Sequence, residues 1–174
     1  MYDVLTRRMR LVHGTRLLAE AELEGNEQLA ELLQVRVPGS WPPESLRDAR
    51  PLFLAMYRQA SSHAEWHLGW YGVLQNDDEP VLCGSVGFKG PPTGTGMVEI
   101  GYSVLPFYQG RGIATEMVLG ASRWAFEQPE VHAVEAEVLE GNLASLRVMA
   151  KAHFAERGSG IEPGARRFRL TKPA

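Results

Sequence analysis

The fold of this chain is decided by the segment Gln109-Gly110-Arg111-Gly112-Ile113-Ala114-Thr115. An alternating run over 97–104 precedes it and predicts a strand, and an amphipathic run over 113–127 follows and predicts a helix. The first N–H groups of a helix lack intrahelical acceptors and lie at the positive end of its dipole, so glycines just before them let an anion approach. The segment therefore predicts a cradle the size of a diphosphate, although a plain tight turn would also use glycines.

Two nucleotide-binding motifs compete for this segment. A P-loop needs Gly-Lys followed by Ser or Thr, and the sequence contains no such run. A dinucleotide-binding fingerprint is closer, because Gly110-x-Gly112-x-x-Thr115 opens a helix and an acidic residue, Glu137 or Glu140, follows at about the expected 20 to 30 residues. However, Thr115 replaces the third glycine, residues 106–109 separate the strand from the motif, and few strands follow. The dinucleotide interpretation stays only as a minor alternative.

Composition limits the classes of partner. The chain has 174 residues, with 18 Lys and Arg against 21 Asp and Glu, and a formal net charge of −3. This length predicts one domain, and the charge offers no positive field for a nucleic acid. We expect no membrane span, because no apolar run is long enough to cross a bilayer. We also expect no signal peptide, because the first residues lack an apolar region followed by a cleavage site of small residues. The single cysteine, Cys83, is predicted to be a small buried residue, and the expected location is the cytoplasm.

The predicted elements mix strands and helices, which indicates an α/β fold. Residues 1–14 show no usable periodicity and are predicted to form an N-terminal leader before one domain over 15–174. Strands are predicted over 15–22, 66–75, 81–89, 97–104, 132–139 and 166–170, with a polar turn at 76–80. Helices are predicted over 22–35, 45–61, 113–127 and 143–152.

Three spaced motifs carry a family resemblance: Val98-Glu99-Ile100-Gly101-Tyr102, Gln109-x-x-Gly112-x-Ala114 and Asn142-x-x-Ser145. Together they resemble the Gcn5-related N-acetyltransferase (GNAT) superfamily, and within it the branch of ribosomal-protein N-terminal acetyltransferases. The likeness runs over 15–170, and the loop at 40–44 also looks like one seen in some members. The resemblance implies a single domain with a central mixed, mostly antiparallel sheet, splayed at the cofactor site and flanked by helices.

The resemblance also implies the cofactor and its contacts. Acetyl-CoA is expected between two splayed strands, with no metal. The implied contacts are Val104, Gln109, Gly110, Arg111, Gly112, Ile113, Ala114, Thr115, Asn142 and Ser145. For Asn142 and Ser145 a helix N-cap and its first turn are an equally good local interpretation. His63 and His67 lack the glutamate and third ligand of a zinc motif, so they are not expected to bind metal.

The implied reaction is attack of a primary amine on the thioester, directly in a ternary complex. Most amines are protonated at neutral pH, so a base must remove a proton, and Glu99 matches the acidic position that several relatives use. A solvated glutamate on an edge strand is the alternative. The acceptor is a protein N-terminus or a small-molecule amine, with no preference visible. The alternative function is a non-catalytic acyl-CoA-binding or regulatory module. The sequence also leaves open whether the protein forms a homodimer.

The proton for the leaving thiolate has no obvious source. Many relatives carry a tyrosine four residues after the serine, and that position is Met149. Ser145, a water molecule or bulk solvent would have to replace it. The aromatic residues Trp41, Trp66, Trp70 and Phe107 are more typical of a core than of an acceptor pocket.

Overall fold

The computed structural model describes residues 2–47, 49–59, 64–75 and 79–173. Its strands are β1 (Val4–Leu5), β2 (Met9–His13), β3 (Trp70–Leu74), β4 (Val81–Phe88), β5 (Met97–Val104), β6 (Ala133–Leu139), β7 (Ala155–Ser159) and β8 (Ala165–Thr171). Its helices are α1 (Arg16–Glu24), α2 (Asn26–Leu33), α3 (Glu44–Arg47), α4 (Ala49–Gln59), α5 (Ile113–Glu127) and α6 (Leu143–Lys151). Short 3₁₀ turns lie at Ala64–His67 and Pro106–Tyr108. None of the helices in these ranges has the length and apolar character needed to cross a membrane.

The strands form one sheet in the order β1-β2-β3-β4-β5-β6-β8-β7. Its neighbouring strands are antiparallel except β5 and β6, which are parallel. The parallel register runs from Met97↔Ala133 to Glu99↔Glu135, and beyond it the two strands diverge. The prediction of a mixed, mostly antiparallel sheet that splays in the middle is therefore confirmed.

The two faces of the sheet are covered by different helices. Phe88 pairs with Ile100 across β4 and β5, and its ring stacks on Trp124 of α5 with the centroids 6.1 Å apart. The face that carries Ile100 and Tyr102 therefore packs on α5. Tyr71 on the opposite face donates its hydroxyl to Glu22 of α1. Because strand residues alternate, Glu99, Gly101 and Ser103 lie on this second face.

The N-terminal region differs from the prediction. No element is predicted over 1–14, whereas the structure places β1 and β2 there, and β2 pairs with β3 through Leu11↔Gly72. Leu11 is fully buried. β1 and β2 are so short that the alternation of their buried and exposed residues cannot be recognised in the sequence.

The predicted strand over 15–22 is wrong, because this segment forms α1. Thr15 caps the helix, and its side chain accepts a hydrogen bond from the Leu18 N–H at 3.2 Å. The cap followed by Leu, Ala and Glu was the signal for a helix. The predicted helix over 22–35 is also divided, because Gly25 has a φ of +152° and separates α1 from α2.

Other boundaries shift less. The strand predicted over 66–75 begins only at Trp70, because residues 64–67 form a 3₁₀ turn, and β7 was not predicted at all. Of the helix predicted over 45–61, the described parts are helical as α3 and α4. Residues 48, 60–63 and 76–78 of the predicted helix and turn lie outside the described ranges. The strand over 97–104 and the helix over 113–127 are confirmed at both ends.

The core contains most of the predicted aromatic residues. Trp41, Trp66 and Trp70 are buried, whereas Phe107 is 72% exposed. Cys83 is buried as predicted, and that burial raises the pKa of its thiol to about 12. A second buried residue is less expected: Glu22 is 8% exposed.

Three elements meet at Glu22. Trp41, in the loop before α3, donates its indole N–H to one carboxyl oxygen at 2.8 Å. Tyr71 of β3 donates its hydroxyl to the other oxygen, also at 2.8 Å. Buried polar groups stabilise a fold only when they are hydrogen-bonded, so these contacts fix α1 and the loop to the sheet.

We predict that Tyr71→Phe lowers the free energy of unfolding by about 1–3 kcal/mol, because the buried Glu22 loses a donor. Tyr2→Phe is the matched control, since the Tyr2 hydroxyl also pairs with a carboxylate, Glu127, but at the surface. That variant should change stability little. Urea denaturation followed by circular dichroism measures both, and equal losses would contradict a special contribution from the buried hydrogen bond.

Candidate active site

The divergence of β5 and β6 opens a cavity of about 540 Å³, bounded by the start of α5 and one side of α6. All the predicted cofactor residues except Arg111 line this cavity. They come from the end of β5, the glycine turn, α5 and α6. The structure therefore brings together residues that the sequence placed in three separate motifs.

The glycine turn leaves the start of α5 open to this cavity. Gly110 and Gly112 have φ values of +75° and +77°, which other residues adopt only with strain. Gly112 is the N-cap residue and has no side chain to satisfy the first amides of α5. Because Ile113, Ala114 and Thr115 line the cavity, their N–H groups are available to an anion there.

The two long side chains of the turn have other contacts. Gln109 donates its amide N–H to the Val104 carbonyl at 2.9 Å, which ties the turn to the end of β5. The Arg111 guanidinium lies over the Phe107 ring, 4.8 Å from its centroid, and also near the Tyr108 ring. Arg111 therefore contributes its backbone to the turn while its side chain stacks on aromatic residues.

The opposite side of the cavity is formed by α6. Asn142 caps this helix, accepting the Ser145 N–H at 3.0 Å, so the N-cap interpretation is confirmed. Both residues also line the cavity. So do the cations Arg147 and Lys151, which sequence reasoning missed although their four-residue spacing places them on one helix face.

Tyr102 is a third residue of the cavity to which the sequence assigned no role. Its hydroxyl approaches the Ser145 carbonyl at 3.4 Å, so it reaches from β5 towards α6 where the strands diverge. Burial raises the pKa of this phenol, which stays protonated at neutral pH. Only the alternation of β5, which places Tyr102 on the α5 face, could have indicated its position.

A smaller cavity of about 230 Å³ lies between the sheet and α3 and α4. Leu46 and Phe53 form part of its wall, Lys89 and Gly101 belong to the sheet side, and Tyr102 lines both cavities. A Cβ atom built on Gly101 would meet no atom within 4 Å. The sheet side of this pocket therefore has free space where a side chain would otherwise stand.

Glu99, the predicted base, lines neither of the two cavities, but Gly101 on the same face of β5 lines the smaller one. Its side chain is 32% exposed and forms an ion pair with Lys89, which lines the smaller pocket. β5 is an interior strand between β4 and β6, so Glu99 does not lie on an edge strand as its alternative interpretation assumed, and its role as a base stays a prediction. Glu99 and Ser145 thus lie near different cavities, with Tyr102 common to both.

Metal ligands are not clustered in this region. Within the described residues, no group of three or more His, Cys, Asp or Glu side chains could hold a metal ion. His67 lines the smaller pocket, and His63 lies outside the described ranges.

Comparison with known proteins agrees with this geometry. The Acetyltransferase (GNAT) domain family matches residues 15–155. An uncharacterized N-acetyltransferase of Bacillus subtilis (strain 168), YjdG, is 25% identical over 152 residues, 86% of this chain and 87% of that protein.

Two solved structures share the fold at low identity. Mycobacterium smegmatis RimJ in complex with CoA-disulfide has a TM-score of 0.65 and 19% identity, with 98% of this chain and 90% of that chain covered. A ribosomal-protein-S5-alanine acetyltransferase from Vibrio fischeri has a TM-score of 0.62 and 16% identity, with 99% and 97% covered. With the family match spanning most of the sequence, the chain belongs to the GNAT family and is an acetyl-CoA-dependent acetyltransferase.

Proposed function

We propose that the protein transfers the acetyl group of acetyl-CoA to a primary amine, with the two substrates held in the two cavities. One observation carries this proposal: Tyr102 lines both cavities at the place where β5 and β6 diverge. A donor in the larger cavity and an acceptor in the smaller one would meet there. Direct attack in a ternary complex then needs no covalent enzyme intermediate.

The residues of the larger cavity fit an acyl-CoA. Acetyl-CoA supplies an acetyl group activated as a thioester. The uncapped amides of Ile113, Ala114 and Thr115 would bind its diphosphate, because they combine free donors with the positive end of a helix dipole. Arg147 and Lys151 of α6 supply cationic donors on the other side of the cavity and would hold phosphate oxygens. Mycobacterium smegmatis RimJ, which has the same fold, was solved with CoA-disulfide.

Glu99 would act as the general base. An acceptor in the smaller pocket would lie beside the Lys89–Glu99 ion pair. That pair supports the assignment, since it demonstrates that an ammonium group can approach the Glu99 carboxylate. Glu99 would take the proton of the incoming amine, directly or through a water molecule, and leave a nitrogen lone pair free to attack.

Ser145 would donate a proton or a hydrogen bond to the departing thiolate. Its side chain belongs to the larger cavity, and the protonated Tyr102 hydroxyl lies next to its carbonyl. Met149, at the position where many relatives carry tyrosine, is fully buried and has no proton to give. The two hydroxyl groups of Ser145 and Tyr102 are therefore the candidates for this role.

The acceptor class and the occurrence of catalysis are tested together. We expect acetyl-CoA to raise the melting temperature, and CoA thiol to be released when an accepted amine is added. A panel of peptides with free N-termini, polyamines and amino sugars separates the two acceptor classes. Stabilisation by acetyl-CoA with no thiol release across the panel would instead favour an acyl-CoA-binding or regulatory module.

We predict that Glu99→Gln lowers kcat by about 100-fold or more and leaves acetyl-CoA binding unchanged, because it removes a general base without altering the larger cavity. Glu135→Gln is the matched control, since Glu135 pairs directly with Glu99 across β5 and β6 but is bound by Arg169. Thiol release measures turnover, and calorimetry measures binding. Normal turnover in Glu99→Gln would remove this residue from the mechanism.

We predict that Gly101→Val blocks the acceptor, because its side chain would enter the free space of the smaller pocket. Acetyl-CoA affinity should be unchanged, while kcat/KM for the amine should fall by about 10-fold or more, the cost of an overfilled site. Gly39→Val is the control, since Gly39 is also surrounded by open space but lies in an exposed loop. If Gly101→Val retained full acceptor kcat/KM, the smaller pocket would not be the acceptor site.

A further inference from the structure

The turn between β1 and β2 contacts the glycine turn from outside both cavities. Glu116, in the first turn of α5, accepts three hydrogen bonds from it: from the Thr6 hydroxyl at 2.6 Å, the Arg8 backbone N–H at 2.7 Å and the Arg8 side-chain Nε at 2.7 Å. The Glu116 side chain is 15% exposed. This carboxylate is thus directed away from the amides of its own helix and towards the N-terminal strands.

Arg8 also contacts the glycine turn itself. Its Nη1 donates to the Arg111 carbonyl oxygen at 3.0 Å. Its Nη2 would lie 3.6 Å from a Cβ atom placed on Gly112. One guanidinium therefore connects the first turn of α5 with the peptide that precedes it.

This contact fixes the direction of an amide. The Arg111 carbonyl and the Gly112 N–H belong to one trans peptide plane and point in opposite directions. Because Arg8 holds the carbonyl, the Gly112 N–H points away from Arg8, and Gly112 lines the larger cavity. A peptide beside glycine can rotate with little conformational cost, so it needs an anchor of this kind.

The contact also balances charge. Burial raises the pKa of Glu116, but hydrogen bonds from Thr6 and Arg8 lower it by more, and the net direction is down. Glu116 is therefore an anion at neutral pH, in the same helical turn as the amides offered to a diphosphate. Without a partner it would repel that ligand, and the Arg8 guanidinium cancels its charge at short range.

The geometry points to Arg8 and Glu116 as positioning residues for the acyl donor: the pair aims the Gly112 amide into the larger cavity and neutralises the carboxylate beside it. The inference rests on the proposed function only in placing the diphosphate at this turn. The turn between β1 and β2 thereby contributes to cofactor affinity, although it lies outside the cavity.

Calorimetric titration with CoA and with pantetheine, which lacks the diphosphate, tests this role. Arg8→Ala should weaken CoA binding by about 10- to 100-fold, the range for hydrogen bonds to charged groups, and leave pantetheine binding unchanged. Arg123→Ala is the matched control, because Arg123 also joins α5 to the N-terminal strands, donating to the Leu5 carbonyl, but lies away from the turn. It should bind CoA like the wild type.

The double variant Arg8→Ala/Glu116→Gln separates the two effects. It removes the uncompensated carboxylate, so it should bind CoA more tightly than Arg8→Ala, yet less tightly than the wild type because the carbonyl anchor is still missing. If Arg8→Ala fails to fold, Arg8→Lys keeps the charge but not the two-sided contact, and should still lose CoA affinity selectively.

Three results would overturn the inference: unchanged CoA affinity in Arg8→Ala or in its Lys substitute, equal loss of CoA and pantetheine, or no recovery in the double variant. Failure of the proposed function is measured on the wild-type protein instead: it would bind no CoA, or it would bind CoA and release no thiol with any amine.

Discussion

The limited pairing between β5 and β6 is the constraint on which the site depends. These strands are parallel only from Met97↔Ala133 to Glu99↔Glu135. Continued pairing would bring β6 and α6 against β5 and close the larger cavity. Divergence instead leaves the last half of β5 facing α6 across a gap, with Tyr102 reaching over it to the Ser145 carbonyl. The same divergence places the glycine turn and the cap of α6 around one opening.

The acidic character of the chain makes the local arrangement of donors decisive. A net charge of −3 gives no general attraction for an anionic cofactor. The cavity compensates with uncapped amides at the start of α5 and with Arg147 and Lys151 on α6. Arg8 differs from these cations, since its charge is balanced by Glu116 and we infer that it directs a peptide of the turn. In the proposed binding mode, the orientation of backbone donors would contribute to binding together with these cations.

The sequence predicted those parts of the fold and site that depend on local patterns. Alternation in β5 and the apolar stripe of α5 gave both elements with correct ends, because each pattern extends over several turns or pairs. The prediction of a strand over 15–22 was wrong because a short apolar run fits both the period of a strand and the period of a helix. Only the Thr15 cap distinguishes the helix from the strand here. The contacts of Arg8 with Glu116 join residues 108 positions apart. Such contacts follow from how strands and helices pack, so no local pattern contains them.

The ion pairs on the second face of the sheet distinguish Glu99 from the neighbouring Glu135 and Glu137 as a carboxylate that can exchange its partner. Glu135 and Glu137 each accept two hydrogen bonds from an arginine on β8, Arg169 and Arg167 respectively. A guanidinium fork holds a carboxylate in a fixed geometry, and separating such a pair leaves a partly buried charge. Glu99 is paired with the ammonium of Lys89, which is 62% exposed and has a flexible stem. Under the proposed function, an incoming amine would replace one ammonium with another, and Glu99 is the carboxylate of the three that is not held by an arginine.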